Sequence, residues 1–197
     1  GAVLGRLKDA LLSPEILRPA AFLFLWQATP NCGSAFFYFS TASVDAGGLG
    51  FDPDFLGRAS AAGSVAGLVG VAAYNGLFKE ARLSSVILWS SVASAIIGLA
   101  PLALVSHANR AWGLDDRLFS LGDDVVQSAL GEVGFLPLLV LAAKICPPGI
   151  EGALFAALMS IFNLGGIVST EAGALLTSAF HVSETDFSNL APLIATC

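Results

Sequence analysis

Long apolar runs, separated by short polar segments, dominate the pattern of this sequence. Five runs are each about twenty residues or longer and contain no dense cluster of charges, which suits an α-helix that crosses a bilayer. We predict spans at about residues 19–42, 55–78, 84–106, 119–145 and 152–180, and the start of a sixth at residues 190–197. The pattern therefore predicts an all-α, polytopic membrane helix bundle with about five full transmembrane helices.

The composition supports this prediction. The chain is 55% hydrophobic and 12% charged, whereas a soluble domain is about 45–50% apolar and about 25% charged. A soluble protein with five such helices in 197 residues would have too little polar surface to cover them. The net charge is −6 and no basic stripe is present, so a nucleic-acid partner is not expected.

The basic residues of the loops predict an orientation. Five spans place six basic residues on the side of the N-terminus, namely Arg6, Lys8, Arg18, Lys79, Arg82 and Lys144. The opposite side has three, Arg58, Arg110 and Arg117. The positive-inside rule then favours a cytoplasmic N-terminus, or a stromal one in a plastid membrane. We interpret residues 1–18 as a linker on that side and residues 19–197 as the transmembrane part.

Small residues recur at helical spacing in two spans. The second span contains Gly63, Gly67 and Gly70, and the fifth contains Gly165, Gly166, Ser169 and Gly173. Small residues four positions apart allow helix backbones to approach closely within a membrane. We predict that nearly all of them serve helix packing.

Polar residues interrupt the first apolar run in the stretch "FLWQATPNCGSAFFYF", residues 24–39. Counting from residue 19, Pro30 falls about 16 Å along the helix, near the middle of a hydrocarbon core about 30 Å thick. Proline leaves a carbonyl one turn earlier, around Trp26, without its donor. One interpretation is a structural kink. The other, which we favour, is a break that faces a central cavity, with Gln27 and Asn31 one turn apart on one face.

Four acidic residues fall within predicted spans, namely Asp123, Asp124, Glu132 and Glu171. Such residues are costly in a bilayer and usually face a cavity or a partner. Asp123 and Asp124 fit either a solvated helix N-terminus or a proton or ion site. Glu132 lies near the middle of its span. Both Glu132 and Glu171 fit either a proton or ion site or a structural hydrogen bond. Asp124 lies one turn from Ser128.

Enzyme chemistry has no recognisable motif here. His107 and His181 lie at loop edges without a nucleophile or acid at motif spacing, and no phosphate-binding glycine-rich loop is present. The three cysteines, Cys32, Cys146 and Cys197, are scattered, which argues against a disulfide framework and a zinc site. We therefore expect neither an enzyme nor a cofactor or metal ion.

Six stretches occur in an order and spacing that resemble the folate–biopterin transporter family, a branch of the major facilitator superfamily. They are "FLWQATPNCGSAFFYF", "FDPDFLGR", "AAYNGLFKEARLSSV", "FSLGDD", "FLPLLVLAAKICPPGIEGALFAALMSIFNLGG" and "FSNLAPLI". The resemblance implies a twelve-helix carrier that moves folates or pterins by alternating access. This chain would supply most of its C-terminal half, helices seven to eleven and the start of twelve. The missing N-terminal half would be its partner.

The resemblance also implies site residues. Gln27, Thr29 and Pro30 match the polar centre of helix seven and Tyr38 its aromatic end, while Asp123 matches the acid that opens helix ten. Pro147, Gly149 and Glu151 match the loop before helix eleven. Asn163 matches the polar middle of helix eleven. Two positions depart from the family, since we expect a neutral amide at Glu132 and a small or apolar residue at Glu171.

A folate site needs an aromatic surface, amides for the pterin edge and a cation for the carboxylates. We expect Gln27, Thr29, Asn31, Tyr38 and Asn163 to line the cavity, and Trp26 and the phenylalanines at 36, 37 and 39 to add to the aromatic surface. The four acids are candidates for proton or ion coupling. No Lys or Arg lies deep in a predicted span, so we expect the cation in the missing half.

Three alternatives remain open at this stage. They are a carrier of the same fold for another small organic solute, a non-transporting membrane scaffold, and an inactive truncated product. The chain lacks an initiator Met and stops within an apolar run, which is expected of an internal piece of a longer protein. An integral, multi-pass protein of either a plastid envelope or a plasma membrane is compatible with this pattern.

Overall fold

Helices form almost all of the regular structure in the computed structural model, which describes residues 9–197. The α-helices are α1 (Pro14–Gln27), α2 (Gly33–Thr41), α3 (Pro53–Ala73), α4 (Leu83–Ile97), α5 (Pro101–Val105), α6 (Ala108–Ala111), α7 (Asp116–Lys144), α8 (Glu151–Ala179) and α9 (Leu190–Thr196). A 3-10 turn at Val44–Ala46 and a π-helical turn at Tyr74–Phe78 join them, and residues 9–12 are also helical. The predicted all-α class is confirmed for this part of the chain.

Four helical stretches among the described residues are long and apolar enough to cross a membrane. They are Pro53–Phe78, Leu83–Val105, Asp116–Lys144 and Glu151–Ala179, and they coincide closely with the second to fifth predicted spans. The first predicted span, residues 19–42, is instead divided into α1 and α2. Helix α1 also begins at Pro14, so residues 14–18 of the predicted linker are helical. Proline suits this first position because its missing N–H has no helical partner there.

Aspartates start two of the long helices. Asp52 precedes Pro53, and its Oδ1 accepts the backbone N–H of Phe55 at 2.8 Å. Asp115 accepts the N–H groups of Arg117 and Leu118 at 2.9 and 3.3 Å. These carboxylates satisfy donors that a helix N-terminus leaves free, and they fix where α3 and α7 begin.

Helix α7 packs against both α3 and α4, while α1 packs against α8. Glycines make the close contacts possible, since a Cβ atom on Gly70 of α3 would overlap the backbone of Ala129 on α7. A Cβ on Gly134 of α7 would lie 3.0 Å from the hydroxyl of Ser90 on α4. The predicted packing role is confirmed for Gly70, whereas Gly134 was not among the small residues that the sequence analysis named.

Two apolar cores lie on either side of the interruption in the first span. The first core joins α1, α4, α7 and α8 through Ile16, Ala20, Leu23, Ile87, Leu138, Ala142, Leu154 and Leu158. The second joins α2, the following loop, α5 and α9 through Ala35, Phe39, Leu49, Phe51, Leu104, Leu190, Leu193 and Ile194. Because α1 belongs to the first core and α2 to the second, residues 28–32 lie at the boundary between them.

Charged contacts connect the loops at the start of α7. Arg117 forms a salt bridge of 2.8 Å with Asp52, and its guanidinium lies 5.4 Å from the ring centre of Phe55. Arg110 pairs with Asp116 at 2.6 Å. The hydrogen bond from the Phe55 amide, with a smaller contribution from Arg117, holds the pKa of Asp52 below its ordinary value. The Asp52–Arg117 salt bridge ties the N-terminal ends of α3 and α7 together, and the Arg110–Asp116 pair ties α6 to α7.

Candidate functional site

The unwound segment between α1 and α2, residues 28–32, is the first element of the candidate site. Pro30 has no N–H to donate to Trp26 four residues earlier. The hydroxyl of Thr29 donates to the carbonyl oxygen of Trp26 at 3.2 Å instead. The carbonyl that the sequence predicts to be orphaned is therefore satisfied by a neighbouring side chain.

Helix α8 holds the backbone of this segment. The hydroxyl of Ser169 donates to the carbonyl oxygen of Thr29 at 2.5 Å, and the N–H of Asn31 donates to the carbonyl oxygen of Ser169 at 3.1 Å. A Cβ atom on Gly173 would overlap the carbonyl of Asn31, and one on Gly165 would lie 2.8 Å from the carbonyl oxygen of Phe24. A polar backbone at membrane depth needs such protein partners, and α8 supplies them.

The two amides predicted to share a face have separate surroundings. The Oδ1 atom of Asn31 accepts the N–H of Gly33 at 2.7 Å, which starts α2. The side chain of Gln27 lies against Gly165 and Gly166. A Cβ atom on Gly165 would lie 3.0 Å from the Gln27 Cβ, and one on Gly166 would lie 3.3 Å from the Gln27 Nε2. Asn31 also lines a small cavity of about 350 Å³ beside Pro30 and Gln127.

A larger groove of about 840 Å³ lies between α2, α3 and α7. Three kinds of side chain carry its chemistry: the phenylalanines Phe36, Phe37 and Phe51, the serines Ser40, Ser60, Ser64, Ser120 and Ser128, and the acids Asp124 and Glu132. None of the described residues that line it is Lys or Arg. The volume falls in the range of small-molecule sites, about 300–1,000 Å³.

The acids of the groove share one face of α7. Asp124, Ser128 and Glu132 are four residues apart and all line the groove. Opposite them, the Cβ position of Gly63 is 2.9 Å from the Ser128 hydroxyl oxygen, and that of Gly67 is 3.6 Å from the Glu132 Cγ. The absence of side chains at these two glycines leaves α3 close to α7 beside the groove.

Asp123 lies outside this groove, one residue away on the helix. Its Oδ1 atom is buried and has no hydrogen-bond partner within residues 9–197. Gln127, one turn further along α7, donates from Nε2 to the carbonyl oxygen of Ser94 on α4 at 3.5 Å. The adjacent acids Asp123 and Asp124 therefore have different surroundings.

The other predicted site residues do not line the groove. Tyr38 is 47% exposed, and Asn163 and Glu171 are exposed on α8. Trp26 stacks on Phe162 at a centroid distance of 6.3 Å and donates from Nε1 to the Ser91 hydroxyl at 3.1 Å. Its surroundings are those of a packing residue between helices.

Sequence reasoning did not identify Ser40, Ser60, Ser64, Ser120 and Phe51 as lining residues. The spacing of Ser60 and Ser64, and of Ser120, Asp124, Ser128 and Glu132, is a repeat of four that marks one helix face. That repeat was available in the sequence, but it does not reveal which helix faces it. For metal ions, residues 9–197 bring no three His, Cys, Asp or Glu side chains close enough to bind one.

The helices and the groove together define the class of protein to which the chain belongs. The chain is an integral, multi-pass membrane protein with an all-α bundle, a discontinuous helix and an acid-bearing groove. Within that class, the chain belongs to the BT1 family, whose sequence profile matches residues 2–197.

Curated relatives carry related names. The chain is 50% identical over 186 residues to the folate-biopterin transporter of Synechocystis sp., covering 94% of this chain and 37% of the relative. It is 31% identical to folate transporter 2 of Plasmodium falciparum, covering 94% and 40%. It is 36% identical to probable folate-biopterin transporter 4 of Arabidopsis thaliana, covering 92% and 36%. The chain thus spans well under half of these relatives, and no solved structure matches it significantly.

Proposed function

We propose that this chain is part of a secondary-active transporter that moves folates or pterins across a membrane by alternating access. The observation that carries the proposal is the groove between α2, α3 and α7, in a chain of this family. Relatives named folate or folate-biopterin transporters support the substrate class.

The discontinuous first span supports a transport role. Broken helices in secondary transporters lie near the middle of the membrane and at the substrate or ion site. Residues 28–32 lie at the boundary between the two apolar cores, which is compatible with such a position. Gly33 and Phe36, which follow the break, line the groove, so a shift of the break would change the wall of the site.

The other wall of the site belongs to the remainder of the protein in this proposal. The relatives are more than twice as long as the matched region, which leaves room for a second half of similar size. A carrier of this type rocks two halves around one site. This chain is then the C-terminal half, with residues 1–18 as its cytoplasmic-side linker and residues 19–197 as the transmembrane part, which the bilayer surrounds.

The acids divide into two groups under this proposal. Asp124 and Glu132 line the groove and are the direct candidates for substrate binding or proton coupling. Asp123 and Glu171 lie outside it, and any coupling by them would act through α7 or α8. Gln27, Thr29, Asn31, Tyr38 and Asn163 are proposed to act at the break or at surfaces that face the missing half.

Uptake of labelled folate by the full-length protein in proteoliposomes tests the proposal. We expect uptake that unlabelled folate and biopterin inhibit. Uptake that other organic anions inhibit equally well would favour a carrier of a different solute. The absence of any uptake by correctly inserted protein would favour a membrane scaffold.

A further inference from the structure

The groove has a one-sided charge. Its titratable lining residues are the two acids Asp124 and Glu132, and the described residues around it contribute no basic side chain. Phe36 and Phe37 provide apolar surface on the α2 side. A site of this character repels carboxylates and attracts hydrogen-bond donors on flat rings.

The proposed substrates have two chemically different ends. A pterin is a flat bicyclic ring whose 2-amino group and N3–H point in the same direction as parallel donors. A folate adds an aminobenzoyl tail that ends in carboxylates. An ionised carboxylate only accepts hydrogen bonds, and its two oxygens match two parallel donors. The groove therefore fits the ring and not the tail.

We infer that this groove binds the pterin ring, with the carboxylate of Asp124 accepting from the 2-amino group and N3–H while the tail of a folate points away from α7. This inference rests on the proposed function and goes beyond it, because it assigns one end of the substrate to one residue. The amides expected to read the pterin edge, Gln27 and Asn163, do not line the groove.

Asp124 suits this role better than the neighbouring acids. It is exposed and lies between Ser120 and Ser128, one turn away on either side of the same face. Glu132 is half-buried beside Gly67 and lies about 12 Å further along α7 by helix rise. Asp123 is not on the groove. Glu132 thus remains the groove's candidate for coupling.

Competition binding to the purified full-length protein tests the assignment. Labelled folate is displaced by pterin and by lumazine, in which a carbonyl replaces the 2-amino group and would face the carboxylate. We expect the wild type to prefer pterin by about 10- to 100-fold, since one charge-assisted hydrogen bond is lost and an acceptor opposes an acceptor. Equal affinity for pterin and lumazine would overturn the inference.

Two variants locate the effect. Asp124→Asn should bring the preference for pterin close to parity, whereas Asp54→Asn, at an exposed acid of α3 that does not line the groove, should retain it. A preserved preference in Asp124→Asn would overturn the assignment. If Asp124→Asn no longer binds labelled folate, Asp124→Glu should restore binding, and failure to restore it would count against the assignment. Wild-type protein that binds neither folate nor pterin would refute the proposed function itself.

Discussion

The backbone N–H of Asn31, directly after Pro30, donates to the carbonyl oxygen of Ser169 on α8 at 3.1 Å. The Ser169 hydroxyl completes the contact by donating to the carbonyl oxygen of Thr29 at 2.5 Å. One serine thus binds the backbone on both sides of a proline. The interruption of the first span is therefore a built contact between two helices, and it fixes where α2 begins beside the groove.

Removal of the Ser169 hydroxyl should loosen this contact. Ser169→Ala leaves the carbonyl of Thr29 without its donor in a half-buried contact, and we expect a loss of about 1–2 kcal/mol of stability. Ser160→Ala is a matched control, because the exposed Ser160 hydroxyl donates within its own helix α8, to the carbonyl oxygen of Ala156. Thermal unfolding of both variants in detergent measures the difference. Equal melting temperatures would contradict the role of Ser169.

A side chain at Gly173 should push the break away from α8. In Gly173→Ala the new methyl group overlaps the Asn31 carbonyl, whereas in Gly152→Ala, on the same helix, it meets no atom of residues 9–197 within 4 Å. We expect Gly173→Ala to lower stability by about 1–3 kcal/mol and to slow transport. Gly152→Ala should do neither. Similar unfolding and uptake in both variants would show that the close approach is unnecessary.

The close contact between α3 and α7 should also be sensitive to an added side chain. Gly70→Ala places a methyl group against the backbone of Ala129, which has no rotamer to relieve the overlap. We expect a destabilisation of about 1–3 kcal/mol. Gly57→Ala, on the same helix with open space around it, should be neutral or stabilising by up to about 1 kcal/mol. Unfolding of the purified variants compares them, and a stable Gly70→Ala would contradict the packing.

The link between Asp52 and Arg117 should depend on pH. The Phe55 amide and Arg117 lower the pKa of Asp52 in the folded protein. The ionised Asp52 carboxylate therefore stabilises the folded protein above the ordinary aspartate pKa. This stabilisation is lost as the pH falls through the lowered pKa of the folded state. Asp52→Asn, which keeps a capping oxygen, should be less stable than wild type at pH 7.

The pH profile of unfolding measures this difference. The gap between wild type and Asp52→Asn should close as the pH is lowered through the acidic range. A gap that persists unchanged at the lowest pH would show that ionisation of Asp52 is not its cause. Arg58→Gln is a control at the same end of α3, because within residues 9–197 Arg58 pairs only with the exposed Asp54.

Hydropathy was sufficient to predict most of the helices. Bilayer-length apolar runs correspond to four long helical stretches, and Asp52 with Pro53 marks the start of α3. Pro30 predicted the interruption of the first span because it removes a local hydrogen bond, which is a property of the chain itself. Each of these features depends on neighbouring residues in sequence.

The surroundings of the break could not be predicted in the same way. They depend on Ser169 and Gly173, which are distant in sequence and become neighbours only when α1 packs on α8. The groove has the same character, since the repeat of Asp124, Ser128 and Glu132 marks a face of α7 but does not show that α2 and α3 lie opposite. The roles of Gln27, Asn31 and Asn163 in substrate binding stay predictions.

Occlusion of the groove tests the central claim most directly. Gly131 lines the groove, and in the described part of the chain no neighbouring atom lies within 4 Å of the Cβ position of Gly131 or of Gly122, which is also on α7. Gly131→Leu should therefore fill the groove without disturbing the packing of α7, whereas Gly122→Leu, outside the groove, adds the same bulk elsewhere. The decisive measurement is the initial rate of labelled folate uptake by full-length protein carrying each change. We predict background uptake for Gly131→Leu and near wild-type uptake for Gly122→Leu at equal insertion and thermal stability; unimpaired uptake by Gly131→Leu would contradict the groove as the substrate site.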